Sequence, residues 1–114
     1  MKSKLIAALA FAAAGALLNS APALAAPDAD AAQALAKKSG CLKCHAVDKA
    51  KKGPSFQKTA AKWKGKADAE AKLTDVLTKA PKVKFEDGTE EEHKVVDSKD
   101  AKEIKNLVAW ILAQ

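Results

Sequence analysis

The sequence predicts a small all-α domain of four to five helices. Three observations carry that reading. Apolar residues recur at three- and four-residue spacing in several stretches, most strongly in Ala101, Ile104, Leu107, Val108, Ile111 and Leu112. No stretch shows the alternation of a half-buried strand. At the centre lies Cys41-Leu42-Lys43-Cys44-His45, two thiols three positions apart with a histidine directly after the second. That is the C-x-x-C-H pattern of covalent c-type haem attachment.

The spacing has a chemical reason. On a helical turn, residues three apart project from one side, so each thiol can add to one of the two haem vinyl groups. The next residue then lies under the iron, where an imidazole nitrogen binds as the proximal ligand. Other readings lack their context. A redox disulfide expects a βαβ pattern around it. A closed zinc site is awkward with two Cys, two His and Cys44 adjacent to His45. A structural disulfide is the third alternative.

Lys2 and Lys4 precede an apolar run from Leu5 to Leu18, followed by the small-x-small site Ala23-Leu24-Ala25. Residues 1–25 read as a cleaved secretory signal peptide, too short for a comfortable membrane span. The mature domain is then 26–114, starting at Ala26, without a transmembrane segment. A bacterial periplasm is the expected compartment. A domain of this size has a marginal apolar core and needs a staple, which a covalent haem provides.

In the mature chain, Asp28 to Lys38 reads as the first helix. Asp28 and Asp30 favour its start and Lys37-Lys38 its end. Ala31, Ala32, Leu35 and Ala36 form a narrow apolar face. Gly40 lets the backbone turn before Cys41. A polar loop follows His45 and ends in Gly53-Pro54. A carbonyl of this turn is the expected partner for the second ring N–H of His45, since ligating histidines are fixed by such bonds. Ser55 to Trp63 reads as a short helix anchored by Phe56 and Trp63 and ended by Gly65. Asp68 is placed to cap the next helix, which carries Leu73, Val76, Leu77 and Ala80 and stops at Pro81. Lys82 to Val96 has no clear period, with a turn expected at Glu86-Asp87-Gly88-Thr89. The last helix is expected to start near Asp97-Ser98. Trp110 lies beside its apolar stripe, able to cover the first helix or the haem pocket. Plain core packing is the simpler role for Trp63 and Trp110.

The net charge is +6, and every basic residue is Lys. Lysines cluster from Lys37 to Lys66 and acids at Glu86-Asp87 and Glu90-Glu91-Glu92. Compact, hydrated ammonium groups suit short-lived contacts. They point to redox partner proteins with acidic docking surfaces; solvated helix surface is the blander reading. The export signal and the lack of a binding motif speak against nucleic acid.

The chain resembles the small bacterial class I cytochromes c, short soluble electron carriers of the periplasm. The likeness spans the mature domain. It runs through Gly40-Cys41 to His45, Gly53-Pro54-Ser55-Phe56, Ala60-Ala61-Lys62-Trp63, Ala69-Glu70-Ala71 with Leu73, and Ala109-Trp110-Ile111-Leu112. It implies the cytochrome c fold: crossing N- and C-terminal helices, loops wrapped around one haem c, and a monomer. It also implies an electron carrier, not an enzyme, with Cys41, Cys44, Gly53, Pro54, Phe56 and Trp63 around the cofactor and His45 on the iron.

The sequence departs from the family at the sixth ligand. The family supplies a methionine on the loop before the last helix, but the one methionine here is Met1, which leaves with the signal peptide. His93 lies on that loop at close to the expected distance from the C-terminus. Cys41 and Cys44 are consumed by the haem, and lysines hold their protons up to about pH 10.4, whereas imidazole is mostly neutral near neutrality. His93 is therefore the expected sixth ligand, giving bis-histidine haem; a surface histidine in an acidic loop is the alternative. The Lys82–Gly88 stretch also lacks the family's aromatic-rich loop. The leading function is periplasmic electron transfer. A haem-based sensor or small-ligand binder with minor peroxidase-like activity is the runner-up, and it needs an open sixth position.

Overall fold

The computed structural model describes residues 26–114, together with Gly15. The signal-peptide reading falls outside these residues. Among the described residues there are four α-helices: α1 (Ala29–Lys38), α2 (Phe56–Trp63), α3 (Ala69–Lys79) and α4 (Ala101–Leu112). A 3₁₀ turn, Cys41–Lys43, follows α1, and two short strands, β1 (Lys82–Lys84) and β2 (Glu90–Glu92), separate α3 from α4.

Helix α4 is the central element, and α1, α2 and α3 all pack on it. Its Leu107 and Val108 are fully buried, with Ile104, Trp110 and Ile111 around them. Ala32, Leu35 and Ala36 of α1 face this stripe, as do Leu73 and Leu77 of α3. Of the α1 residues expected in the apolar face, Ala31 stays exposed. Small residues on α1 let the first and last helices approach closely. Their contact is locked by a reciprocal pair of hydrogen bonds. The Asp28 N–H donates to Asn106 Oδ1 at 2.8 Å, and Asn106 Nδ2 donates to the Asp28 carbonyl at 2.9 Å.

The helix starts follow local hydrogen bonding. The Asp28 side chain caps α1 by accepting from the Ala31 N–H, and Ser55 caps α2 by accepting from the Lys58 N–H. Asp68 holds the cap position of α3, but its side chain makes no capping bond; its backbone carbonyl accepts from Lys72 instead. The last helix begins later than expected. Asp100 is its cap, and Ser98 sits outside it, accepting from the Asp100 N–H. Ala80 closes α3 in the left-handed region (φ 48°). Pro81 then prevents continuation and turns the chain into β1.

The strands are the one departure from the helical reading. They pair antiparallel with Lys82 opposite Glu92, Val83 opposite Glu91 and Lys84 opposite Glu90. Opposite charges across the ladder supply the pairing preference. Both strands are largely exposed, so no alternation of apolar residues betrays them in the sequence. The turn lies where expected. Gly88 has a φ of 86°, and Asp87 Oδ1 accepts from the N–H and hydroxyl of Thr89. Those two bonds, side chain first, hold the Asp87 carboxyl below its ordinary value. Past the hairpin, the Val96 N–H bonds to the Leu77 carbonyl and Asp97 N–H to the Ser39 hydroxyl, so the chain re-enters the core before α4.

Candidate haem site

Gly40, at φ 76°, reverses the chain after α1 and starts the 3₁₀ turn. In such a turn residues three apart eclipse one another, which places the side chains of Cys41 and Cys44 along one edge. The turn closes with Cys44 and His45 N–H groups both bonded to the Cys41 carbonyl, at 3.2 and 2.9 Å. Both cysteines are partly exposed and unpaired with each other. Burial pushes the Cys41 thiol above its ordinary value, with the neighbouring Cys44 adding to the effect against a backbone hydrogen bond.

The loop from Cys44 to Gly53 folds back beneath His45. The Gly53 N–H donates to the Cys44 carbonyl at 2.7 Å. His45 Nδ1 donates to the Pro54 carbonyl at 2.6 Å. A carbonyl only accepts, so the proton sits on Nδ1 and Nε2 keeps its lone pair. Gly53 is required for closeness rather than for a left-handed backbone. A Cβ there would lie 2.6 Å from Cε1 of His45, a distance that no packing tolerates. The imidazole stacks on Phe56, centroids 5.4 Å apart and planes 24° from parallel. Phe56 in turn meets the edge of Trp110 at 5.4 Å. Trp110 therefore joins the core of α4 to the wall of the site. An apolar cleft of about 300 Å³ opens beside the motif, lined by Ala36, Leu42, His45, Val47 and Trp110 among others.

His93 directly follows β2. Its N–H donates to the Pro81 carbonyl at 2.8 Å, which fixes its backbone beside the close of α3. Its Nδ1 donates to the Lys94 carbonyl at 2.8 Å. Like His45, it is left with a free Nε2 lone pair. The two rings are 6.2 Å apart, centre to centre, and inclined at 38°.

Cys41, Cys44, His45, Gly53, Pro54 and Phe56 thus gather at one site, and the His93 ring lies beside that of His45. Trp63 packs against the core cluster that holds Phe56 and Trp110. It packs half-buried on the margin of the core with the Lys62 and Lys66 ammonium groups over its ring, at 5.5 and 5.3 Å. Lys52 carries no signal of its own in the sequence. Its Nζ pairs with Glu91 Oε1 at 2.7 Å and lies 4.6 Å from the centre of the Phe85 ring. The bond from Glu91 raises the Lys52 ammonium above its ordinary value. A lysine in a run of lysines carries no signal of which acid it will meet across 39 residues of sequence.

Two adjacent thiols, a neighbouring imidazole with a free nitrogen, and an apolar cleft beside them define the class: a haem-binding helical domain. The chain matches the family model "Cytochrome c" over residues 29–114. It is 32% identical to cytochrome c-551 of Pseudomonas aeruginosa over 82 residues, 72% of this chain and 75% of that protein. A 48-residue stretch is 48% identical to cytochrome c-551 of Allochromatium vinosum, spanning 42% of this chain and about half (51%) of that relative. Among solved structures, the class 1 cytochrome MtoD from Sideroxydans lithotrophicus ES-1 is 56% identical with a TM-score of 0.74. That match covers 77% of this chain and 97% of MtoD. Cytochrome c552 of Nitrosomonas europaea is 29% identical with a TM-score of 0.55, covering 70% of this chain and 95% of the other. The chain belongs to the cytochrome c family. It is an electron-transfer haem protein, and its cofactor is covalent haem c. No described helix is long and apolar enough to cross a membrane.

Proposed function

We propose that the chain is a periplasmic one-electron carrier whose haem c is bonded through Cys41 and Cys44 and ligated by His45 and His93. The observation that carries the ligand assignment is the pair of imidazoles 6.2 Å apart, each with Nδ1 rather than Nε2 bonded to a backbone carbonyl. A metal–imidazole bond is roughly 2 Å, and a ring centre lies roughly 1 Å behind its nitrogen, so two rings sharing one metal have centres roughly 6 Å apart. The observed 6.2 Å fits that interval.

Haem iron supplies the one-electron change between its ferrous and ferric states. The residues supply the rest. The Pro54 and Lys94 carbonyls hold the two rings in place through the Nδ1 bonds. Phe56 and Trp110 exclude water from the His45 side, at 4% and 6% exposure. Ligands held this firmly need little rearrangement when the charge on the metal changes. With no methionine in the mature domain, the ligand type that raises cytochrome c potentials is missing. Electron paramagnetic resonance of the oxidised protein should show low-spin haem with two nitrogen ligands. The optical spectrum should lack the methionine-to-iron charge-transfer band. A high-spin signal at neutral pH refutes the assignment.

The lysine-rich surface around the motif, including exposed Lys43, Lys49 and Lys51, suits an acidic redox partner. Stopped-flow electron transfer to such a partner should slow about tenfold as the Debye length contracts from about 30 Å to about 8 Å. A rate that is flat or rising with salt leaves the lysines as solvated surface.

A further inference from the structure

We propose that Lys52 is a positioning residue for the sixth ligand, clasping the β1–β2 hairpin to the loop below the haem motif so that His93 stays opposite His45. The inference rests on His93 as ligand and adds the device that keeps it there.

The two imidazoles belong to different segments. After His93 the chain is tied to the body at Val96–Leu77 and Asp97–Ser39. Before it, Lys52 is the link to the His45 loop. His45 is set by the Cys44–Pro54 loop, whereas His93 follows β2. The strands pack chiefly on each other, and their side chains are largely exposed. From the body side, Lys52 lies in the same loop as Gly53 and Pro54, directly next to the glycine against His45. Its ammonium reaches both arms of the hairpin: Glu91 on β2 at 2.7 Å and the Phe85 ring after β1 at 4.6 Å. Glu91 is two residues before His93. The clasp therefore runs from the support of one imidazole to the strand that bears the other. A second attachment, His93 N–H to the Pro81 carbonyl, fixes the base of the hairpin but not its arms.

The pair is exposed, with side chains 47% and 56% accessible, so its effect is modest. Exposed ion pairs and cation–π contacts each shift an equilibrium by a few-fold. Together they should raise the fraction of ligand-free iron about 3- to 10-fold on loss of Lys52. Loss of Glu91 leaves the Phe85 contact and should give about 2- to 5-fold.

The test is the affinity of the ferrous holoprotein for carbon monoxide, read optically, since apparent affinity scales with the open fraction. Lys52→Gln and Glu91→Gln should each raise it, and the double variant should match Lys52→Gln alone. Lys52→Arg, which keeps both contacts, should restore the wild-type value. Lys105→Gln, which removes the exposed contact to Glu70 between α4 and α3, should change nothing. Raising salt should increase affinity in wild type and not in Lys52→Gln. His93→Ala separates the two layers. If it opens the iron while Lys52→Gln leaves affinity unchanged, the clasp is wrong and the ligand stands. If His93→Ala itself changes nothing, the ligand assignment fails and the clasp with it. A Lys105→Gln effect as large as that of Lys52→Gln means general loosening and also overturns the proposal.

Discussion

Replacing both Cys41 and Cys44 with serine is expected to remove covalent haem and, with it, most of the stability of the domain. The core explains why. It consists of one stripe on α4, five alanine- or leucine-sized contacts from α1 and α3, and the Phe56–Trp110 pair. Chains of this size bury too little surface for a wide margin. A tethered cofactor acts at millimolar effective concentration. Released into solution at micromolar levels, it loses about a thousandfold in concentration, or about 4 kcal/mol of stabilisation. That is a large part of the 5–15 kcal/mol typical of a whole domain. The measurements are intact mass after acid-acetone extraction and thermal unfolding by circular dichroism. Wild type should keep the haem mass. The double serine variant should lose it and unfold at a much lower temperature. Wild-type haem that washes out, with both thiols open to alkylation, contradicts thioether attachment.

What could be read in the sequence is what local chemistry determines. The capping bond of Asp28, the end of α3 at Pro81 and the stripe on α4 follow from side-chain type and spacing. The contact of a Gly-Pro carbonyl with His45 was legible too, because a neighbouring pair of residues must supply an acceptor and Pro54 does. Long-range pairings were not legible. Asn106 locks α1 to α4 across 78 residues, yet an asparagine on a helix surface gives no hint of its partner. The hairpin was invisible for a different reason. Its pairing is carried by lysine–glutamate register rather than by apolar alternation, and hydrophobic period is the signal that sequence reading relies on. The displaced start of α4 has a third cause. Asp97, Ser98 and Asp100 are all good caps, and the bond of Asp97 N–H to Ser39 holds that residue outside the helix.

His93→Ala is expected to convert the iron from low-spin to high-spin and open it to external ligands. The argument begins with donors. Residues 26–114 contain no methionine, and in the proposed attachment both cysteines are used by the haem, which leaves nitrogen donors. A lysine amine must lose a proton before it can bind metal, and as a class it does so only at about pH 10.4, whereas an imidazole offers an unprotonated nitrogen at far lower pH. Geometry then favours His93 among the nitrogens, since its ring centre lies 6.2 Å from that of His45 and its backbone bond is made by Nδ1, not Nε2. If the ligated state holds about 99% of the population, only about 1% of molecules admit carbon monoxide, and removing the ligand should raise apparent affinity about 100-fold. The fold should survive. The substitution costs one side-chain hydrogen bond, that to the Lys94 carbonyl, for which about 1 kcal/mol is typical. The backbone bond to Pro81 is kept. Far-ultraviolet circular dichroism should therefore match wild type while the haem spectrum changes. His93→Met provides the converse test. A thioether at that position should restore low-spin iron, add the methionine-to-iron charge-transfer band and raise the reduction potential. If His93→Ala leaves both spectrum and carbon monoxide affinity as they were, the sixth ligand is another nitrogen. A lysine is then the first candidate, because its amine is the other strong donor this chain has in number.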